Sequence, residues 1–193
     1  MIRSGGLRLD GVTVLLADGS KFTRKLVAQM LAEFGVGTIL EAEDGETALD
    51  ALKRGPVDLL ICDTLVENPD GITLTRMIRH DNGATYRSIP VLLLAGHTRQ
   101  ADVIRMRDCG ASLILAKPVA PKALYDRLAW IARDPRPFVD SAIYAGPDRR
   151  HNVGEPPNGV ARRQMDRERF ADQTKSSVSH DEIMAILRQA DSL

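Results

Sequence analysis

The 193-residue chain lacks an excess of charge of either sign, since 26 Lys and Arg balance 26 Asp and Glu. No global field draws the whole molecule to nucleic acid or to a membrane surface, so any charge argument must be local. Cysteine is scarce. Cys62 and Cys109 are the only two, and neither has a Cys or His partner at metal-ligand spacing, which favours reduced thiols over a disulfide framework or a thiolate metal site. Long apolar runs are missing too, and the opening MIRSGGLRLDG has no apolar signal-peptide core. The expectation is a cytoplasmic chain with no membrane partner.

What the chain does have is enough apolar residues, 44%, for one core with residues left over. Two hydrophobic periods alternate along residues 11–134. VTVLLAD, TILEA, VDLLICD, IPVLLLAG and ASLILAKP read as strands. Between and after them, residues 20–34, 44–55, 71–80, 99–110 and 121–134 carry apolar residues at three- and four-residue spacings and read as helices. Ser20 is placed to cap the first helix and Gly35 to stop it. Five strands alternating with five helices over short connections predict an α/β fold: a doubly wound, five-stranded parallel sheet, (βα)5, covered on both faces.

In a parallel sheet the C-terminal ends of all strands share one edge, and open α/β sheets keep their ligands there. That edge would gather Asp18, Asp63, Ala95 with Gly96, and Lys117. Two carboxylates and an ammonium suit a hard cation such as Mg²⁺. A carboxylate beside such a cation could also attack a phosphoryl group while the metal and the lysine neutralise the transferred charge.

VLLADGSKFTRKL, LLICDTLVENPDG and LAKP, in this βα order, resemble the receiver domain of bacterial two-component response regulators, of flavodoxin-like or CheY-like fold, over roughly residues 10–134. The resemblance implies that Asp63 accepts a phosphoryl group from a histidine kinase or phosphotransfer protein. It implies that Asp18, Asp63 and the Leu65 carbonyl hold Mg²⁺, that Lys117 contacts the phosphoryl oxygens, and that the bond from Lys117 to Pro118 is cis. Such a chain is a kinase substrate rather than an enzyme, apart from slow autodephosphorylation. Haloacid-dehalogenase-type phosphotransferases also use a strand-end aspartate, but they need a second acid two residues on, where this chain has Leu65.

Several positions depart from the family pattern. Gly19 stands where a second acid is usual, so Mg²⁺ binding is expected to be weak. Ala95 replaces the switch hydroxyl, Ile114 replaces an aromatic, and Val66-Glu67 replaces Met-Pro. These losses keep open a second reading, a pseudo-receiver that docks partners without phosphorylation.

Residues 1–10 read as an N-terminal arm, 135–176 as a Pro/Gly/Arg-containing linker or extension, and 177–193 as a short amphipathic helix. Phe138, Ile143 and Tyr144 could pin the extension to a partner or to the receiver, and Arg149-Arg150 and Arg162-Arg163 could bind phosphates against a background of neighbouring acids. The extension is too short and polar for a winged-helix module, so no DNA partner is expected. Ser179 and Glu182 have capping-box spacing ahead of Ile183, Ile186 and Leu187. That segment resembles the peptide by which the flagellar motor switch protein docks on a CheY-type receiver. Protein contact through it, or through the face of the fourth helix, fifth strand and fifth helix, is the expected output, and pairing into a homodimer is a further option.

Overall fold

The computed structural model describes residues 7–96, 100–134, 136–141 and 144–149. The terminal helix expected at 177–193, and Ile143, Arg150, Arg162 and Arg163, lie outside the described residues.

Five strands, β1 (Thr13–Ala17), β2 (Thr38–Ala42), β3 (Leu59–Asp63), β4 (Val91–Ala95) and β5 (Leu113–Ala116), form one parallel sheet in the order β2-β1-β3-β4-β5. Helices α1 (Lys21–Glu33), α2 (Gly45–Arg54), α3 (Gly71–His80), α4 (Gln100–Asp108) and α5 (Pro121–Ile131) alternate with them. β3 and β4 are buried along their whole length, which is why both read as unbroken apolar runs. Alternate residues of these strands feed two cores. Leu60, Cys62, Leu93 and Ala95 meet Ala48 of α2, Leu74 of α3 and Met106 of α4, while Ile61, Leu92 and Leu94 meet Val27 and Leu31 of α1 and Leu124 of α5.

Local signals set the helix ends. The Ser20 hydroxyl accepts from the Thr23 amide, and Gly35, at φ +83°, turns the chain out of α1. Asp44 and Thr47 form a reciprocal capping box on α2. Asp70 caps α3 by accepting from the Ile72 and Thr73 amides.

Eight residues of the stretch read as linker or extension are strand instead. Strands β6 (Phe138–Ser141) and β7 (Tyr144–Pro147) pair antiparallel as a separate two-stranded sheet. This hairpin is held at the pole of the domain opposite the C-terminal strand ends. Arg79, near the end of α3, is fully buried without a carboxylate partner among the described residues; its guanidinium donates to the carbonyls of Gly110 (2.9 Å), Arg87 (2.6 Å) and Ile89 (2.8 Å). The Phe138 ring lies 5.7 Å from the Arg79 guanidinium carbon and 5.6 Å from that of Arg87. Burial pulls the Arg79 guanidinium down to about 10, still charged at neutral pH.

Arg87 also pairs with Asp140 at 2.6 Å, Arg149 pairs with Asp108 while covering the Tyr144 ring at 3.8 Å, and Arg136 donates to the Ser112 carbonyl at 2.9 Å. Backbones nearly touch: a Cβ at Gly110, whose φ is +93°, would meet the Ala145 carbonyl oxygen at 2.3 Å, and one at Gly146 would meet the Gly110 Cα at 2.7 Å. The polar, proline-rich composition concealed this docking because its partners are single arginines and glycines scattered through the preceding domain. Of the three apolar residues expected to pin the extension, Phe138 and Tyr144 do so on the receiver itself.

Candidate functional site

Each functional side chain sits where its strand runs out. Asp63 is the last residue of β3 and is 8% exposed; Asp18 follows β1 and is 1% exposed; Lys117 follows β5. The parallel order places β1 next to β3, and the polar side chains converge as the sequence predicts. Lys117 Nζ lies 2.7 Å from Asp18 Oδ2 and 2.8 Å from Asp63 Oδ2. Burial works to lower the Lys117 pKa, but hydrogen bonds to Asp18 and Asp63 outweigh it and the net direction is upward, so the ammonium is secure at neutral pH.

The acids divide their oxygens. Asp18 Oδ1 accepts from the Ser20 amide at 2.8 Å. Asp63 Oδ2 is held by Lys117, whereas Asp63 Oδ1 is buried without a hydrogen-bond partner among the described residues. A buried carboxylate oxygen left unpaired is costly unless something else fills its place. Among the described residues no group of three or more His, Cys, Asp or Glu could hold a metal. A cation here would therefore have two carboxylates, with carbonyl and water oxygens completing its shell. That donor set fits Mg²⁺, which keeps several waters. At Gly19 a Cβ would find only the Glu43 carbonyl oxygen, at 3.8 Å, so the missing acid reflects no lack of room.

The peptide bonds Lys117-Pro118 and Asn68-Pro69 are both cis; the first matches expectation. Cys62 is buried in the core, its thiol pushed well up, first by burial and then by the charge of Asp63. Asp18 does not cap α1, since Ser20 does. Ala95 is buried at the end of β4 with no hydroxyl to offer.

Three residues escaped the sequence reading. Arg24 donates to the Asp18 carbonyl at 2.6 Å and pairs with Glu41 at 3.2 Å, pinning the turn that carries Asp18. Its place one turn beyond the cap was the available signal. Thr64 and Arg105 line a cleft of about 400 Å³ between the β3–α3 loop and α4, shared with Asp70, Gly96 and Met106. Burial works to raise the Asp70 carboxyl there, hydrogen bonds from Thr73 and Ile72 outweigh it, and the Arg105 charge adds to the lowering. No local pattern pairs Arg105 with Thr64, because only the fold brings them to one cleft.

Comparison with known proteins agrees with this geometry. The response regulator receiver domain family matches residues 14–129. Chemotaxis protein CheY-3 of Vibrio cholerae is 29% identical over 115 residues, 60% of this chain and 87% of the relative. A crystal structure of a response regulator from Chloroflexus aurantiacus J-10-fl superposes with a TM-score of 0.59 at 29% identity, covering 63% of this chain and 98% of that one. The receiver domain of a sensor histidine kinase from Pseudomonas aeruginosa PAO1, solved with magnesium coordinated in its active-site cleft, gives a TM-score of 0.57 at 26% identity, covering 63% and 98%. Fold, converging charges and family match agree: over residues 14–129 the chain belongs to the response regulator receiver domains of two-component signalling.

Proposed function

We propose that Asp63 is the phosphoacceptor, that a histidine kinase or phosphotransfer protein is the donor, and that output passes through protein contact rather than DNA. The observation that carries this is the asymmetric carboxylate of Asp63, with one oxygen held by Lys117 and the other buried and uncommitted. A lone pair of Asp63 forms the new O–P bond as the P–N bond of a phosphohistidine breaks, and the electron pair leaves with the imidazole nitrogen. Lys117 follows the charge onto the phosphoryl oxygens, and Asp18, fixed by Ser20 and Arg24, keeps its place beside it. Asp18, Asp63 and the Leu65 carbonyl would hold Mg²⁺, which when bound supplies charge neutralisation for the transferred group.

Exposed apolar side chains at the rim, Phe22 (60%) and Leu65 (72%), suit a protein donor rather than a small solute. Ile104 of α4 is likewise exposed, on the face of α4, β5 and α5 proposed for output. Pairing of two copies there is the homodimer option. Asp63 is used as an acceptor, so the chain acts as a kinase substrate in the cytoplasm and not as an enzyme in its own right. Among the described residues no helix is long and apolar enough to cross a membrane.

The test is incubation with acetyl phosphate, with and without Mg²⁺, followed by intact-mass measurement. One phosphoryl group gained only with Mg²⁺, and not by Asp63→Asn, is the expected result. No gain at saturating donor and metal supports the pseudo-receiver, a reading favoured by Gly19 and Ala95.

A further inference from the structure

We propose that a phosphoryl group on Asp63 is sensed from the α4 side by the Arg105 guanidinium and the Thr64 hydroxyl, which together do the work of a hydroxyl at position 95. The inference rests on Asp63 being the phosphoacceptor. Residue 95 is alanine, so β4 ends without a donor for the new anion. The strand beside it supplies one. Thr64 follows Asp63 directly, and its amide continues the ladder by donating to the Leu94 carbonyl at 2.9 Å. Cys62 and Ala95 share one core with Met106 of α4, and alternation along the strand puts Thr64 on that same face. Its hydroxyl thus lies in the neighbouring strand to Ala95, in the cleft that also holds Gly96 and Arg105.

Arg105 brings the matching charge. It is exposed on α4 in the wall of that cleft and makes no ion pair or hydrogen bond among the described residues. An exposed guanidinium, whose charge also reaches Asp70 in the same cleft, suits a phosphoryl dianion because its planar fork donates two parallel hydrogen bonds. The cleft has room, since a Cβ at Gly96 would meet nothing within 4 Å. The other end of α4 is fixed: Asp108 pairs with Arg149, and Gly110 lies against Gly146. Attraction of Arg105 to the phosphoryl group then acts on a helix anchored at its C-terminal end, and the response falls on its N-terminal turns.

The experiment uses the full chain, phosphorylated with acetyl phosphate and Mg²⁺. Intact mass gives the phosphoryl stoichiometry, and hydrogen exchange followed by mass spectrometry reads the α4 amides. The unaltered chain is expected to change its α4 exchange on phosphorylation. At equal stoichiometry that change is lost in Arg105→Gln and reduced in Thr64→Val, and it is kept in Arg105→Lys and Thr64→Ser. Thermal melts confirm that each variant is folded, and an unfolded one is replaced by Arg105→Met or Thr64→Ala. An α4 response unchanged in the Gln and Val variants, or absent from the phosphorylated unaltered chain, overturns the inference alone. A variant that folds but no longer accepts the group also overturns it, because sensing and not chemistry is assigned to these residues. No phosphoryl gain by the unaltered chain removes the phosphoacceptor reading and the inference together.

Discussion

The two poles of the sheet are built on opposite terms. At the C-terminal strand ends, two buried acids share one ammonium, one carboxylate oxygen has no hydrogen-bond partner among the described residues, and Arg105 and Thr64 line a cleft together with Asp70. At the N-terminal ends, the four arginines around the hairpin are the organising charges and all have partners: Arg79 three carbonyls, Arg87 and Arg149 carboxylates and rings, Arg136 a carbonyl and Trp130 at 4.5 Å. Satisfied groups make a pole that holds its shape, while groups left short of partners make one that binds something else. Stability and reactivity are thus concentrated at different ends of the same five strands.

The largest expected break in that contrast comes from ending the chain at residue 134. Tyr144 and Ala145 are buried in the hairpin and Phe138 covers Arg79. Their removal is expected to cost about 4 kcal/mol in urea unfolding, with Mg²⁺-dependent phosphoryl gain retained by the chains still folded. A smaller effect sharpens the other pole. Gly19→Asp adds a charge where there is room for it, and Mg²⁺ affinity, read by fluorescence or calorimetric titration, is expected to rise by roughly 1 kcal/mol, about fivefold.

An effect of similar size concerns Tyr86, beside Arg87. Its hydroxyl donates to Asp81, and that bond, with burial next, raises the phenol pKa to about 12. A raised value means the contribution is complete below the ordinary tyrosine value near 10 and is lost as the pH climbs through 12. Tyr86→Phe is expected to cost about 1 kcal/mol at neutral pH. The difference from the unaltered chain should vanish between pH 10 and 12, which denaturant melts across that range would check.

What was legible in the sequence, and what was not, follows the same division. Strands and helices could be read because burial on two faces imposes a local period, and the strand-end acids and lysine could be read because parallel strands share an edge. Ser20 and Gly35 were legible as a cap and a stop, since both act within one turn of their own helix. The hairpin was not. Its strands are four residues each, too short for a period to show, and its stability comes from Arg79, Arg87, Asp108 and Gly110, far from it in the chain. Thr64 and Arg105 were missed for a related reason, because each looks like an ordinary polar surface residue until the fold brings both to one cleft.

The path of the chain through β6 and β7 also fixes a point of departure. After α5 the backbone passes beneath the N-terminal strand ends, folds back, and leaves the described domain beside Asp108, where Arg149 is tied down. Whatever follows is tethered at the pole away from Asp63, about one strand length, roughly 17 Å, from the site. Arg149, the last described residue, therefore sits near the end of α4, at the pole of the domain opposite Asp63 and Lys117.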